Sequence, residues 1–443
     1  MKRTAPLPAG TGPAPRNATG RTPLAVLATA QFLVVLSASI VNVALPEIRT
    51  GLGLSETGQA WTVNAYVLSF GALLLAGGRA GDAYGLRRVF LTGIGLFAVS
   101  SLGAALAPSA AVLIASRAVQ GIGAALLAPT SLALVLTLYP GGRSRGTALG
   151  VWGAVSGAGG AAGVLLGGVL TGLYGWRAVF AVLMPIALAV LVATRRLVRA
   201  DRPRGGSLDA PGAVTVTAGL VALAYGLSGP WPVAVAGLVL LGVFAALQRR
   251  APEPLVPARM KAVALPGLLM ALLGAVWLGL FYFLPLYQQR VLGYSPLEAG
   301  LTQLPLALMT SLSSWVTGRL SGRRVLPLGL LVLAAGLAWL ARTPADGSFP
   351  ADLLGPTLLI GAGLGVAFVR LTALSSAGVA APDNGLAGGL VNATRQIGGA
   401  VGLSFLTLLP SYGSAFLACA ALALALSLLS LLPALRARSI RKA

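Results

Sequence analysis

The chain has 443 residues, of which 56% are hydrophobic and 9% charged, and its formal net charge is +22. This composition excludes an ordinary soluble domain and predicts a polytopic membrane protein. Nucleic acid is not an expected partner, because 25 of the 32 Lys and Arg fall on one predicted side of the membrane and four on the other. We therefore expect a lipid bilayer around the chain and cytoplasmic N- and C-termini. With no His and a single cysteine, Cys419, the chain offers no cofactor, metal or Ser–His–Asp chemistry, so an enzyme is not expected.

Apolar runs long enough to cross a bilayer recur along the whole chain and predict an all-α protein with fourteen transmembrane helices. The predicted spans are roughly 24–46, 62–80, 89–107, 111–138, 147–172, 178–194, 211–228, 231–248, 265–287, 300–319, 325–341, 353–375, 385–409 and 413–433. We expect a disordered cytoplasmic tail at 1–22, a six-helix half at 23–200, and a two-helix insert with basic linkers at 201–262. A second six-helix half follows at 263–435, and a basic cytoplasmic tail at 436–443.

An internal repeat supports this 6 + 2 + 6 division. Three short matches share one offset of 240 residues and lie between helices of corresponding rank. They are Leu52–Ser55 with Leu292–Ser295, Gly78-Arg79 with Gly318-Arg319, and Gly121 and Gly123 with Gly361 and Gly363. Two parallel halves of this kind enclose a central cavity and rock about it in alternating access.

The loop after the second span contains a carboxylate among arginines. Asp82 lies in a Gly-containing turn with Arg79, Arg87 and Arg88 close in sequence. A carboxylate in this position can pair with Arg and with a helix N-terminus, and can hold the cytoplasmic ends of two helices in one state. The alternative is a solvated turn with ordinary positive-inside arginines. The second half has Gly322 where the first has Asp82, so the predicted gate is one-sided.

The fourth span, which includes LIASRAVQGIGAA at Leu113–Ala125, contains the strongest functional signal in the chain. Arg117 and Gln120 lie within an apolar run, where a guanidinium is costly unless it faces a bundle interior or a wet cavity. Gly121 follows and permits close approach of a neighbouring helix. We expect Arg117 to act as a buried positive charge in a transport pathway; the alternative is that it snorkels to the headgroups.

The fifth span is dense in glycine, which lowers helix propensity and favours close helix–helix packing. Gly159, Gly163 and Gly167 are the gating candidates in this span. In the second half, Arg370 and Arg395 also lie in apolar runs. Arg370 either snorkels to the headgroups or lines a cavity that favours anionic or neutral polar ligands. Further cavity candidates are Asn42, Asn64, Tyr66, Tyr282, Gln303, Asn392 and Gln396.

Several of these stretches resemble motifs of the major facilitator superfamily, and in particular of its fourteen-span drug–proton antiporter family. The similar stretches are Leu36–Pro46 (LSASIVNVALP), the loop Gly78–Arg88, Leu113–Ala125, the glycine-rich Gly157–Gly168, Trp176–Phe180 and Asn392–Gly399. The resemblance covers the chain from about residue 24. It implies a major-facilitator fold and export of a drug, antibiotic or secondary metabolite in exchange for protons.

Two departures from the family pattern concern coupling and gating. Ser37 stands where the family usually has an Asp that is thought to take part in proton coupling, and Val164 follows Gly163 where the family has Pro. No Asp, Glu or His lies clearly inside a predicted span, so Glu56 and Glu298, in similar outer loops of the two halves, are the next coupling candidates. We expect native transport to depend only weakly on the proton gradient.

The sequence thus predicts a monomeric exporter of a small organic molecule in the inner membrane of a bacterium. Two alternatives remain open at this point. One is an uncoupled or differently coupled facilitator of an anionic metabolite. The other is a membrane sensor or scaffold that uses the same fold without transporting.

Overall fold

The protein is helical throughout its described part. The computed structural model describes residues 21–139, 142–198, 209–227, 229–252, 254–320, 322, 324–376 and 384–431. Its α-helices are α1 (Arg21–Leu52), α2 (Glu56–Tyr84), α3 (Leu86–Ala105), α4 (Ala110–Leu138), α5 (Gly142–Tyr174), α6 (Arg177–Ala181), α7 (Leu183–Leu197), α8 (Ala210–Leu227), α9 (Trp231–Arg250), α10 (Ala264–Arg290), α11 (Pro296–Thr302), α12 (Leu304–Thr317), α13 (Val325–Leu340), α14 (Leu354–Ser376), α15 (Asn384–Leu406) and α16 (Tyr412–Ser430). A 3₁₀ segment at Ala258–Val263 precedes α10, and a π-helical segment at Phe349–Leu353 precedes α14.

Each predicted segment includes some positions outside the described residues. The longest such stretches are positions 1–20 of the N-terminal tail, 199–208 of the first basic linker, and 432–443, which include the whole predicted C-terminal tail. The first helix begins at Arg21, slightly before the predicted start of the first span.

Ten helical stretches in the described part are long and apolar enough to cross a bilayer. The other four predicted spans coincide with α5, the α11–α12 pair, α13 and α15. Of these, α5 contains an apolar stretch only from Ala158 to Tyr174, and α13 is apolar but has only 16 residues. The α11–α12 pair is interrupted at Gln303, and α15 contains Arg395.

Successive long helices run in opposite directions, so the bundle has two ends. We call the end with the α1–α2 turn the α1–α2 end, and the opposite end the α2–α3 end. At the α1–α2 end, Ser55 and Ser295 adopt extended backbone conformations and accept hydrogen bonds from Gly58 N and Glu298 N. These bonds satisfy donors that every helix start leaves unpaired, and they fix where α2 and α11 begin.

The sequence repeat corresponds to a repeat of structure. Gly53 and Gly293, 240 residues apart, both have positive φ, at 61° and 70°. Glycine adopts this conformation without a Cβ clash, so each permits the sharp turn before a serine-capped helix.

A second pair of glycines repeats the same helix contact in both halves. A Cβ on Gly121 of α4 would lie 2.4 Å from the carbonyl oxygen of Tyr66 on α2. A Cβ on Gly361 of α14 would lie 2.6 Å from the carbonyl oxygen of Leu306 on α12. Both distances are below any ordinary contact, so only glycine lets the two backbones approach this closely. The rest of the packing follows the same ranks: α1 lies on α5 as α10 lies on α15, and α3 lies on α4 as α13 lies on α14.

The inserted helices α8 and α9 pack chiefly on each other. Gly226 of α8 lies against the backbone of Ala234, and Gly237 of α9 lies against Leu223. Helix α8 also contacts α2 and α15, whereas α9 buries only Gly237. The pair is therefore a peripheral unit beside the junction of the two halves.

Candidate transport site

Helix α4 holds Arg117 in the interior of the first half. The close approach of α2 at Gly121 and of α3 at Gly123 surrounds the arginine with protein on all sides. Its side chain is 0% exposed, which makes Arg117 the largest fully buried side chain in the described part of the chain. A charge in this position needs polar partners, because leaving it in hydrocarbon costs several kcal/mol.

Those partners come from three helices and are all neutral. Arg117 Nη1 donates to Ser37 Oγ on α1 at 3.0 Å and to Gln120 Oε1 at 2.6 Å, and Nε donates to the Thr62 carbonyl on α2 at 3.0 Å. The ring of Tyr66 lies 4.3 Å from the guanidinium carbon, a distance at which the ring face attracts a cation. Nη2 is buried without a hydrogen-bond partner in the described structure.

Gln120 extends this network to α3. Its Nε2 donates to Ser101 Oγ at 2.7 Å, while its Oε1 accepts from Arg117. The predicted proximity of Ser37 to Arg117 is therefore present in the structure, within a polar network that links α1, α2, α3 and α4. A role of Arg117 in the transport pathway remains a prediction, and it would have to act through α1 and α2.

The acidic coupling candidates have partners outside this network. Glu56 is at the start of α2 and forms an ion pair with Arg49 at 3.2 Å at the exposed α1–α2 end. Glu298 is fully engaged in the cap of α11, where its Oε2 accepts from Ser295 N at 2.8 Å. These bonds from Ser295 hold the pKa of Glu298 below its usual value. The structure thus does not bring either carboxylate to Arg117.

All seven acidic residues in the described part lie within two turns of a helix end or in a connecting segment. They are Glu47, Glu56, Asp82, Asp209, Glu298, Asp346 and Asp352. Nor do three His, Cys, Asp or Glu side chains come together anywhere in this part of the chain in a way that could hold a metal ion.

The two halves are joined by polar contacts at the α1–α2 end. Gln289 Nε2 on α10 donates to the carbonyl of Val43 on α1 at 2.9 Å. The neighbouring Arg290 Nη2 donates to Gln59 Oε1 on α2 at 2.7 Å. We call these two hydrogen bonds the inter-half latch. Neither bond involves a carboxylate: the first joins two neutral groups, and the second joins a charged guanidinium to a neutral amide. Hydrogen bonds of this strength can break during a conformational change.

A further contact between the halves lies deeper, between α2 and α15. Asn64 Nδ2 donates to Ser404 Oγ at 3.0 Å, and both side chains are buried. Gln396 packs over Gly71, where an added Cβ would lie 2.7 Å from the Gln396 Cβ. Two of the predicted cavity residues, Asn64 and Gln396, are thus parts of this helix interface.

The three glycines of α5 that are gating candidates, Gly159, Gly163 and Gly167, lie at the contact between α5 and α1. A Cβ on Gly159 would lie 3.1 Å from the Phe32 carbonyl oxygen, and a Cβ on Gly167 would lie 2.5 Å from that of Ile40. At Gly163 an added Cβ would overlap with the Ser39 hydroxyl. Close helix packing therefore requires glycine here, and a gating role would be additional to it.

The stretch predicted as a loop after the second span is mostly helical, so Arg79 and Asp82 lie in α2 and Arg87 lies in α3. At this α2–α3 end, the two arginines bind backbone carbonyls of other segments. Arg79 donates to the carbonyl of Pro254, in the linker that precedes α10. Arg87 Nη2 donates to the carbonyl of Arg195, at the end of α7, at 2.8 Å. Asp82 and Arg88 are exposed. The cluster thus ties α2 and α3 to neighbouring segments, as a gate at this end would require.

The remaining predicted cavity residues do not share one set of surroundings. Arg370 is turned toward the segment between α12 and α13, where its Nη2 donates to the Gly322 carbonyl at 2.7 Å. Tyr282 and Gln303 are buried, and Gln303 donates to the carbonyl of Ala299 at 3.1 Å. In the first half, Asn42 donates to Ala38 O at 3.5 Å.

Three aromatic residues that the sequence did not single out form a connected row that ends at Arg395. The guanidinium carbon lies 5.8 Å from the ring of Phe368, which lies 6.2 Å from Trp277. Trp277 in turn lies 5.3 Å from Phe281, one helical turn away on α10. The four-residue spacing of Trp277 and Phe281 is the only signal of this cluster in the sequence. The positions of α14 and α15 beside α10, which the sequence does not give, bring Phe368 and Arg395 to it.

The fold and the polar interior define a membrane-embedded, multi-pass helical transporter. Solved structures of transporters share this fold. A peptide transporter in complex with alafosfalin superposes with a TM-score of 0.72 at 18% identity and covers 94% of this chain and 95% of its own. The inward-open xylose transporter of E. coli superposes with a TM-score of 0.65 at 16% identity over 92% of this chain and 94% of its own.

Residues 27–403 match the family model described as Major Facilitator Superfamily. The chain belongs to the major facilitator superfamily, which is a family of transporters and not of enzymes. The cephamycin export protein of Amycolatopsis lactamdurans is 40% identical over 96% of this chain and 95% of its own length. The puromycin resistance protein of Streptomyces alboniger is 41% identical over 89% and 82%, and the tetracenomycin C resistance and export protein of Streptomyces glaucescens is 34% identical over 87% and 75%. These relatives confirm the resemblance to the drug-exporting branch.

Proposed function

We propose that the protein exports a small organic molecule, an antibiotic or other secondary metabolite, across a bacterial plasma membrane by alternating access. It does so as a monomer with fourteen spans arranged 6 + 2 + 6 and with both termini in the cytoplasm. The halves are 23–200 and 263–435, and the α8–α9 pair belongs to the insert at 201–262. In this orientation the α1–α2 end faces outward and the α2–α3 end faces the cytoplasm.

The observation that carries this proposal is the inter-half latch. Its two hydrogen bonds join α10 to α1 and α2 at the proposed outer end, and they connect two structurally repeated halves. Opening of such a contact on one side, with closure on the other, is the motion that parallel repeats support. The relatives named for export of or resistance to cephamycin, puromycin and tetracenomycin C support the choice of export and of an antibiotic-like substrate.

Proton antiport is the coupling that the family resemblance implies, but the Arg117 network favours weak coupling. Arg cannot change its charge at physiological pH, and its partners Ser37, Gln120 and Thr62 O are neutral at any pH. In this second candidate function the protein is a carrier that is driven mainly by the substrate gradient or by another ion.

The experiment begins with a drug-sensitive bacterial strain that expresses the protein and is screened against a panel of antibiotics. A compound to which resistance rises is then tested in proteoliposomes by counterflow, in which internal unlabelled compound drives uptake of labelled compound. We expect counterflow with the wild type and none with empty liposomes. A protein that confers no resistance and shows no counterflow with any compound would be a sensor or scaffold, and the proposal would be wrong.

A further inference from the structure

The cluster formed by Trp277, Phe281, Phe368 and Arg395, which we call the aromatic–arginine cluster, faces the space between the halves. Phe281 packs against a small cluster of Val43, Val164 and Ala299, of which the first two belong to α1 and α5 of the first half and the third to α11. The face of α10 that carries Phe281 therefore points toward the first half, and Trp277 lies on the same face one turn away. Both side chains are only half-buried, so part of each ring remains accessible.

Arg395 is held at the edge of this surface with most of its donors free. Within the described structure its one hydrogen-bond partner is Asn392, whose Oδ1 accepts from Nη2 at 3.0 Å. A guanidinium has five N–H donors, so four remain for another partner. A charged group turned to lipid would be costly, which places this edge of the guanidinium toward a wet or ligand-filled space.

The helices that form the cluster offer no carboxylate to neutralise Arg395, and α2, which also packs on α15, carries its two acidic residues, Glu56 and Asp82, in its first and last turns. The sequences of α10, α14 and α15, which contribute all members of the cluster, contain no Asp and no Glu. A cationic ligand would meet an uncompensated positive charge here and would be repelled. An anion would gain both the charge interaction and the paired donors of the planar fork.

The three aromatic rings of the cluster indicate the shape of the uncharged part of the ligand. Phe368 is 37% exposed and lies between the indole of Trp277 and the guanidinium. Flat conjugated surfaces stack on such rings in offset or tilted arrangements. From this juxtaposition of a free guanidinium edge with three partly accessible aromatic rings, we infer that the aromatic–arginine cluster is a substrate subsite for a planar aromatic acid. The inference rests on the proposed transport function and assigns its substrate class.

The test measures binding to the purified full-length protein in nanodiscs by isothermal titration calorimetry. The probes are 1-naphthoate and 1-naphthamide, which have the same rings and differ in charge. We expect the wild type to bind the acid about tenfold more tightly than the amide, the usual contribution of a charged hydrogen bond. In Arg395→Gln this ratio should fall to about one, and Arg395→Lys should restore part of it.

Two further variants separate this inference from a general effect on folding. In the matched control Arg370→Gln, on α14, the ratio should not change, because Arg370 donates to carbonyls in the segment between α12 and α13. In Phe368→Leu both probes should bind about threefold to tenfold more weakly, with the ratio preserved. Equal binding of the two probes by the wild type, or an unchanged ratio in Arg395→Gln, would overturn the inference. Because binding is measured without transport, counterflow that fails while the binding preference persists would refute the proposed function alone.

Discussion

Replacement of Ser37 by Asp would place a group that can gain and lose a proton beside Arg117. The native network contains no such group at this position. The Ser37 hydroxyl oxygen lies 3.0 Å from Arg117 Nη1, and the position is fully buried. An Asp side chain adds two heavy atoms and places a carboxylate within about 4 Å of the guanidinium. At an effective dielectric constant of about 20, such a pair gains about 4 kcal/mol when the carboxylate is ionised.

That energy disappears when the carboxylate takes up a proton, so proton binding in Ser37→Asp would alter the contact between α1 and α4. A change of about 4 kcal/mol corresponds to roughly a thousandfold change in a two-state equilibrium, enough to reverse the preference between two conformations. Serine contributes the same hydrogen bond at every pH and cannot bias the conformational equilibrium in this way. We therefore expect the transport rate of Ser37→Asp to follow the proton gradient.

The assay is uptake of an identified substrate into inverted membrane vesicles, with an imposed pH difference and after its collapse by an ionophore. Wild-type uptake should change less than about twofold, and Ser37→Asp uptake should fall several-fold. Ser37→Asn is the matched control, because it has the size of Asp without a titratable group, and it should behave as the wild type. If wild-type uptake stops when the gradient collapses, another acid carries the proton and this reasoning is wrong.

Three further predictions concern other parts of the molecule. Arg117→Ala should lower transport more than about tenfold in protein that still inserts, and Arg117→Lys should retain partial activity because it keeps the charge without the planar fork; normal transport by the Ala variant would limit Arg117 to a packing role. Asp82→Asn should increase labelling of Leu75→Cys by an impermeant thiol reagent from the α2–α3 end, in a Cys419→Ser background; unchanged labelling would argue against a gate. The lowered pKa of Glu298 stabilises the cap of α11 above the pKa of the unfolded chain, and this contribution is lost as pH falls through the folded-state pKa. The fall in thermal stability on acidification should therefore be smaller in Glu298→Gln than in wild type, and an equal fall would contradict the assignment.

The sequence was most informative where a local pattern and a membrane argument agreed. A lone Arg in an apolar run predicted a buried charge, and the Arg117 side chain is fully buried beside Ser37 as expected from two helices of one half. The glycine matches at an offset of 240 residues likewise correspond to equivalent backbone contacts at Gly121 and Gly361. These features depend on spacing within a helix or on a repeat, both of which can be counted in the sequence.

Features that depend on helix rotation could not be predicted in this way. Arg370 and Arg395 both lie in apolar runs, but Arg370 turns to a carbonyl between α12 and α13 and Arg395 turns to Phe368. Similarly, Gln289 and Arg290 sit at a helix end where sequence alone gives no partner, yet they form the inter-half latch. The partners in each case come from helices far away in the chain, and their faces are set by packing of the whole bundle.

The central claim, that the halves alternate about a central path, is tested most directly by locking the inter-half latch. In a Cys419→Ser background, Gln59→Cys and Arg290→Cys replace two long side chains whose ends touch at 2.7 Å. A disulfide requires closer backbones, so the two thiols are joined instead by a bis-methanethiosulfonate cross-linker with a short alkyl spacer. Cross-linking should join α2 to α10 and stop transport, and reduction should restore it, while each single-cysteine variant remains active after the same treatment. Full transport by the cross-linked protein, with the cross-link verified by mass spectrometry, would contradict alternating access through this end.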